Sequence, residues 1–274
     1  MAGELYVVGT PIGNLGDFSP RAVETLRTVD FIAAEDTRVS IKLLNYFDIK
    51  NKLIAYHEHN RAEKGPSIVE RILAGESCAL VTDAGMPAIS DPGQDLVRLC
   101  HESGIKVNTV PGPSAIITAL ALSGLEVSRF TFEGFLTGNK PKRREHLEEI
   151  KTERKTMVFY EAPHKLAATL HDLHTALGDR KIALVKELTK IHESIEFGTL
   201  SELDGKYDGM KLKGEYVIII EAKTEEEIAS EAEATDPVEL AKTYIAEGLS
   251  VNEAAKKAAK ETNTKKSEIY KQLV

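Results

Sequence analysis

The chain has 274 residues, 42% of them hydrophobic, with a formal net charge of −8. This length allows about two domains and one small extra module, and the negative balance leaves any nucleic-acid binding to local patches. No apolar run has transmembrane length, no signal-peptide pattern opens the chain, and Cys78 and Cys100 lie in apolar contexts as core thiols. A cytoplasmic protein without membrane, disulfide framework or zinc cluster is therefore expected.

In chain order, Glu4 to Gly9 predicts a strand that runs into Thr10-Pro11-Ile12-Gly13-Asn14-Leu15-Gly16-Asp17. Ser19-Pro20 then opens a helix. The glycines at 9, 13 and 16 miss the dinucleotide G-x-G-x-x-G spacing, and no P-loop lysine follows. A Rossmann dehydrogenase and an NTPase are disfavoured, but a ligand loop between strand and helix remains. Asp30 to Ala34 is a second strand, ending in Glu35-Asp36-Thr37-Arg38, which reads either as a salt-bridged cap or as a polar site. Ile41 to Phe47 predicts a helix, Leu53 to Tyr56 a short strand, and Ser67 to Ala74 an amphipathic helix closed by Gly75. Between the last two lies the polar stretch His57-Glu58-His59-Asn60-Arg61.

Cys78 to Val81 reads as a buried strand, and Asp95 to Cys100 as a helix. Between them, Thr82-Asp83-Ala84-Gly85-Met86-Pro87-Ala88-Ile89-Ser90-Asp91-Pro92-Gly93 holds carboxylates and no Lys or Arg. Such a loop is a poor grip for phosphate and a better one for hydroxyls and cationic groups. It also sits where open α/β sheets bind ligands. Lys106 to Val110 is another strand, followed by Pro111-Gly112-Pro113-Ser114-Ala115 and a buried helix from Ala115 to Leu122. Strands alternating with helices imply a parallel sheet.

The second half differs. Arg129 to Phe135, Thr156 to Tyr160, Ile182 to Val185, Ser194 to Leu200 and Glu215 to Glu221 read as strands, close enough together for a mixed sheet. Glu161-Ala162-Pro163-His164 opens a helix that runs to Leu177. Thr137 to Lys155 is basic, and its cluster Lys140, Lys142, Arg143 and Arg144 reads as a solvated face or a phosphate contact. An acidic, Ala-rich linker, 225–234, leads to three short helices, with capping boxes at Asp236–Glu239 and Ser250–Glu253. From Ser250 to Val274 six Lys stand against three Glu. The last two helices resemble a helix-turn-helix, or simply form a small cap.

Several of these loops together resemble one family. They are Gly9–Asn14, Ala34–Arg38, Val81–Pro87 with Ser90–Gly93, Val110–Ala115, Phe132–Leu136, Phe159–His164, Glu187–Lys190 and Lys213–Glu215, and they cover residues 4 to 222 in order. The chain resembles the ribosomal RNA small subunit methyltransferase I family of the tetrapyrrole-methylase superfamily. At Met86 that family usually carries Thr.

The resemblance implies an α/β, tetrapyrrole-methylase-like two-domain fold. A parallel-sheet domain (1–115) and a mixed-sheet domain (116–224) would close on S-adenosylmethionine, with a C-terminal helical module (225–274) beyond them. It implies 2′-O-methylation of a cytidine ribose in the decoding region of small-subunit (16S) rRNA, in naked RNA or the assembled 30S subunit, by a homodimer. Mapped here, the donor would lie against Pro11, Asp83, Ala84, Gly85, Met86, Ile89, Ser90, Ser114 and Ala115, with Phe135, Leu136, Phe159 and Tyr160 from the second domain. Catalytic candidates are Asp36 and Arg38, with Glu35 beside them, and Glu187 and Lys190, with Lys186 nearby. Lys140, Lys142, Arg143, Arg144, Lys265 and Lys266 are the RNA-binding candidates, and Tyr56, Phe135 and Tyr160 could stack a base. Two other readings stay open: methylation of a tetrapyrrole precursor, and a donor-sensing regulator that binds nucleic acid through Ser250–Val274.

Overall fold

Five apolar runs of the first half form one sheet: β1 (Leu5–Val8), β2 (Phe31–Ala34), β3 (Leu53–Ala55), β4 (Cys78–Val81) and β5 (Val107–Val110). The computed structural model describes residues 3–224, 226–227, 236–246 and 248–273. The strand order is β3-β2-β4-β1-β5 and every pairing is parallel. Parallel neighbours need crossover connections. These are α1 (Pro20–Thr28), α2 (Thr37–Tyr46), α3 (Arg61–Leu73) and α4 (Gln94–Glu102), followed after β5 by α5 (Ala115–Ser123). β2 and β4 are buried throughout because both faces of the sheet are covered. Phe31 and Leu80 pack with Ile68 and Leu96 on one face, and Ile32 and Val81 with Leu26 and Leu44 on the other.

The second sheet holds β6 (Phe130–Phe135), β7 (Thr156–Glu161), β8 (Lys181–Lys186), β9 (Ser194–Thr199) and β10 (Tyr216–Ile220), in the order β6-β7-β10-β8-β9. It is mixed: β6 and β7 run parallel and the other pairs antiparallel. All of β10 is buried, as its continuous apolar run requires. α6 (Lys140–Ile150), α7 (Leu166–Leu177) and α8 (Leu200–Tyr207) complete this half. Both sheets belong to one unit, Met1–Glu221, and the second unit is Ala222–Val274. The latter folds α9 (Pro237–Ala246), α10 (Val251–Glu261) and α11 (Lys266–Leu273) around Tyr244, Ala255, Ala258 and Ile269. Ser250 and Glu253 close a reciprocal capping box, and Asp236 accepts from Val238 N. Of the acidic linker, only residues 226 and 227 lie within the described residues.

Several elements depart from the sequence reading. α2 begins at Thr37, because Asp36 caps it by accepting from Arg38 N at 2.8 Å. α3 begins at Arg61, six residues early, and carries Pro66 inside it. Its first turn is closed by the Asn60 carbonyl, which accepts from Lys64 N at 2.9 Å. α8 was not expected; Thr199 and Glu202 start it with a capping box that turns the chain out of β9. α5 is only half sheltered: Ala119 and Leu120 are buried, whereas Ile117, Ala121 and Leu122 are exposed.

Candidate functional site

The carboxyl ends of β1, β4 and β5 lie side by side, and their loops are knitted together by backbone. Thr10 N donates to Gly85 O at 2.9 Å, and Gly85 N donates back to Thr10 O at 3.2 Å. Thr10 Oγ1 donates to Thr82 O. Gly9 and Gly112 pack backbone to backbone, so that a Cβ on Gly112 would lie 2.8 Å from Gly9 Cα. Only glycine permits such an approach.

These loops face the second sheet across a cavity of about 260 Å³. The first sheet contributes Ile12, Ala84, Gly85, Met86, Ile89, Ser90, Asp91, Ser114, Ala115 and Ile116. The second contributes Phe135, Tyr160, Glu161, Val185, Leu188, Glu215, Tyr216 and Val217. Nine of the expected donor-site residues therefore meet here: Ala84, Gly85, Met86, Ile89, Ser90, Ser114, Ala115, Phe135 and Tyr160. The other four do not line the cavity. Pro11 is buried, and Asp83 turns aside to accept from Asp36 N at 3.1 Å. Leu136 and Phe159 are sealed in the core under α6 and α7, because strand alternation sends them to the opposite face from Phe135 and Tyr160.

A β-bulge sets the facing of β6. Phe132 pairs with Val158 and Gly134 with Phe159, leaving Glu133 extra, with Gly134 at φ +68°. Residues three apart would normally face opposite ways. The extra residue brings Phe132 and Phe135 to the same side, where their rings stand 5.0 Å and 5.5 Å from that of Tyr160. Of the three stacking candidates, Phe135 is 56% exposed, whereas Tyr56 is wholly buried in the core of the first sheet and cannot stack.

The lining carries carboxylates and, among the described residues, no Lys or Arg. Glu161 is 2% exposed and accepts from Ala162 N at 2.8 Å and Thr169 Oγ1 at 2.5 Å. Glu215 takes Lys190 Nζ at 2.7 Å. Asp91, absent from the sequence-derived candidates, stands beside Glu35 and Asp83. Burial first, then the charges of Glu35 and Asp83, push its carboxyl up to about 6, against a smaller opposing contact from Thr82. Burial and Glu35 likewise raise Asp83. Loop composition showed the aspartate, but nothing in the sequence showed its burial.

The four catalytic candidates stand outside the cavity as two oriented cations. Asp36 holds the Arg38 guanidinium at 2.6 Å, and Arg38's side chain is 87% exposed. That contact and the Arg38 amide lower the Asp36 carboxyl to about 2, which makes it a poor proton acceptor. Lys190 bridges Glu187, at 3.0 Å, and Glu215. Burial opposes its charge, but the two carboxylates outweigh that and raise its pKa. Glu187 and Thr189 adopt positive φ, 51° and 64°, and Thr189 Oγ1 accepts from Asn14 N at 3.1 Å. This loop thereby joins the second sheet to the β1 loop. Lys186 Nζ lies 6.0 Å from the centre of the Tyr216 ring.

The basic candidates divide. Lys140, Lys142, Arg144, Lys265 and Lys266 are exposed. Arg143 is drawn inward, its side chain 15% exposed, with Nε donating to Asp172 at 2.6 Å and Nη2 to Thr169 at 2.9 Å. It is therefore a packing residue of α6. The sequence held a signal for this, since Arg143 shares a helical face with Leu147 and the buried Ile150.

The family model "Tetrapyrrole (Corrin/Porphyrin) Methylases" matches residues 4–204. The chain is 46% identical over 269 residues to a Ribosomal RNA small subunit methyltransferase I of Synechocystis sp., covering 98% of this chain and 96% of that protein. To the protein of the same name from Bacillus subtilis it is 43% identical over 271 residues, covering 98% and 93%. Its fold is similar to uroporphyrin-III-C-methyltransferase from Thermus thermophilus, with a TM-score of 0.57 at 17% identity over 80% of this chain and 94% of that one. Diphthine synthase is similar too, with a TM-score of 0.63 at 15% identity, covering 80% and 90%.

Proposed function

Because the chain belongs to the tetrapyrrole methylase family, in its ribosomal RNA small subunit methyltransferase I branch, we propose that it methylates the 2′-hydroxyl of a cytidine ribose in the decoding region of 16S rRNA. The family's methyl donor is S-adenosylmethionine. The observation that carries this reading is the cavity, built on the strand ends of β1, β4 and β5 and lined by Asp91, Glu161 and Glu215 with no Lys or Arg among the described residues. Such a lining suits a cation that also carries hydroxyls and a flat ring. When bound, the donor supplies a methyl group on a positively charged sulfur.

In this reading the Ala84–Met86 and Ser114–Ala115 segments hold the donor by backbone and shape, Phe135 and Tyr160 cover it, and Asp83 and Pro11 support the loops. Leu136 and Phe159 act from behind, by fixing the sheet. Asp36 and Glu187 orient Arg38 and Lys190, which meet RNA phosphates and set the acceptor ribose in place. Lys140, Lys142, Arg144, Lys265 and Lys266 add affinity. A homodimer is part of the proposal, with Ile117 and Leu122 of α5 as candidate contacts, and so is a cytoplasmic site of action. No helix among the described residues is long and apolar enough to cross a membrane.

The test offers methyl-labelled donor to naked 16S rRNA, to assembled small subunits and to a tetrapyrrole. Label should enter the RNA, and the product should resist alkaline cleavage at one cytidine, because a methylated 2′-oxygen cannot attack the neighbouring phosphate. Label in a base, or in the tetrapyrrole alone, would overturn the proposal.

A further inference from the structure

We propose that Asp91 accepts the proton released by the acceptor hydroxyl and hands it through Thr82 to Glu35, so that these three side chains form the proton exit of the site. The inference rests on the methyl-transfer reading above and assigns it a base.

The geometry arrives by elimination. Three carboxylates line the cavity, and two are already engaged: Glu161 by Thr169 and a backbone amide, Glu215 by Lys190. Asp83 lies off the lining and takes the Asp36 amide. Asp91 is the cavity-lining carboxylate, among the described residues, that no cation or backbone amide engages. Its neighbours are Thr82, Glu35, Asp83 and, from the second sheet, Tyr160. Arg38 acts in this group only on Asp36 and Asp83.

Thr82 makes the path directional. It is 2% exposed, and its Oγ1 donates to Glu35 Oε2 at 2.6 Å. The pairing Ala34↔Val81 puts Glu35 and Thr82 next in register at the ends of adjacent strands. A hydroxyl carries one proton. With that proton given to Glu35, the same oxygen can only accept from Asp91, so Asp91 must bring a proton to complete the chain. Glu35 is half-buried, which opens the far end to water.

The step balances. The hydroxyl O–H bond breaks and its proton goes to an Asp91 carboxylate oxygen, while the oxygen gains the methyl and the donor sulfur loses its bond to it and becomes neutral. Asp91 then passes its proton to Thr82 Oγ1, Thr82 gives its own to Glu35 Oε2, and Glu35 releases a proton to solvent. Burial and the like charges of Glu35 and Asp83 suit Asp91 to the task, since they hold its carboxyl at about 6, near the operating pH of a general base.

The test uses Asp91→Asn and Thr82→Val in the full chain. Donor affinity is measured by calorimetry, single-turnover labelling of small subunits against pH, and Asp91 titration by carboxyl-labelled carbon NMR without donor. Asp91→Asn should lose about a hundredfold or more in transfer rate at saturating donor, well beyond any loss in donor affinity. Thr82→Val should keep donor affinity, slow transfer about tenfold, and shift the Asp91 midpoint, because Thr82 touches its carboxyl. A transfer rate for Asp91→Asn within about threefold of wild type overturns the relay, and so does a parallel loss of donor affinity, which would make Asp91 a donor ligand. An unmoved midpoint in Thr82→Val removes the Thr82 link. If wild-type protein labels no small-subunit RNA, the functional reading itself fails; if it labels RNA and Asp91→Asn does so equally, only the relay fails.

Discussion

Replacing Arg143 with alanine separates packing from RNA contact on α6. Its guanidinium holds Asp172 at 2.6 Å and Thr169 at 2.9 Å, and Thr169 in turn serves the buried Glu161. Hydrogen bonds to charged groups contribute about 1.5–3 kcal/mol. Asp172 is 36% exposed, so water recovers part of that for its carboxylate. A loss of about 2 kcal/mol remains, which for a unit of this size lowers Tm by about 4–8 °C. Lys142→Ala and Arg144→Ala, on the exposed face, should stay within about 0.5 kcal/mol of wild type. The second measurement is RNA affinity against salt. Each phosphate contact contributes about 0.7–0.9 units of log–log slope. The Lys142→Ala/Arg144→Ala double variant should flatten the slope, and Arg143→Ala should leave it alone. If Arg143→Ala is thermally silent and flattens the slope as its neighbours do, the inward orientation of Arg143 is wrong.

Gly112→Ala would force a Cβ to 2.8 Å from Gly9 backbone and part the two loops, so donor affinity should fall about tenfold with about 1–3 kcal/mol of stability, whereas Gly138→Ala, with nothing within 4 Å, should leave calorimetric binding unchanged. Asp36, at about 2, is depressed below its ordinary value of 3.8; its stabilising contribution is present above that value and lost as pH falls through about 2, so the stability gap between wild type and Asp36→Asn should close only in acid. Asp91 is raised from 3.8 to about 6, and the sign reverses: the folded state loses stability as pH rises through that range. Asp91→Asn should therefore raise Tm near pH 8 and not near pH 4, read by scanning calorimetry.

The first sheet was legible because each of its apolar runs ends in Gly- and Pro-rich loops, and strand ends are where an α/β sheet offers its ligand site. Nine of the residues expected at the donor site fell on the cavity for that reason. What sequence spacing lacked was facing and depth. Asp36 looked like a site residue, and its carboxylate is taken by a helix start and by Arg38. Phe159 looked like a companion of Tyr160, yet adjacent residues of a strand point apart. Asp91 was only one of the carboxylates of its loop, and its chemistry comes from burial and from Glu35, 56 positions earlier in the chain, which no local pattern reveals. Pro66 hid the first turns of α3 by resembling a helix start.

The bulge at Glu133–Gly134 is, in effect, a reading frame written into a strand. Everything after it on β6 is presented one step out of phase with everything before it. Inserting one further residue after Gly134 would leave composition and hydrophobicity nearly unchanged, yet it would turn Leu136 toward the cavity and Phe135 into the core, whereas losing the extra Glu133 would remove the bulge and keep Phe135 on the cavity side. Changes of length at this point thus carry consequences that substitutions do not, and the tolerance of β6 to insertion becomes a sharper gauge of its role than its tolerance to any one side chain.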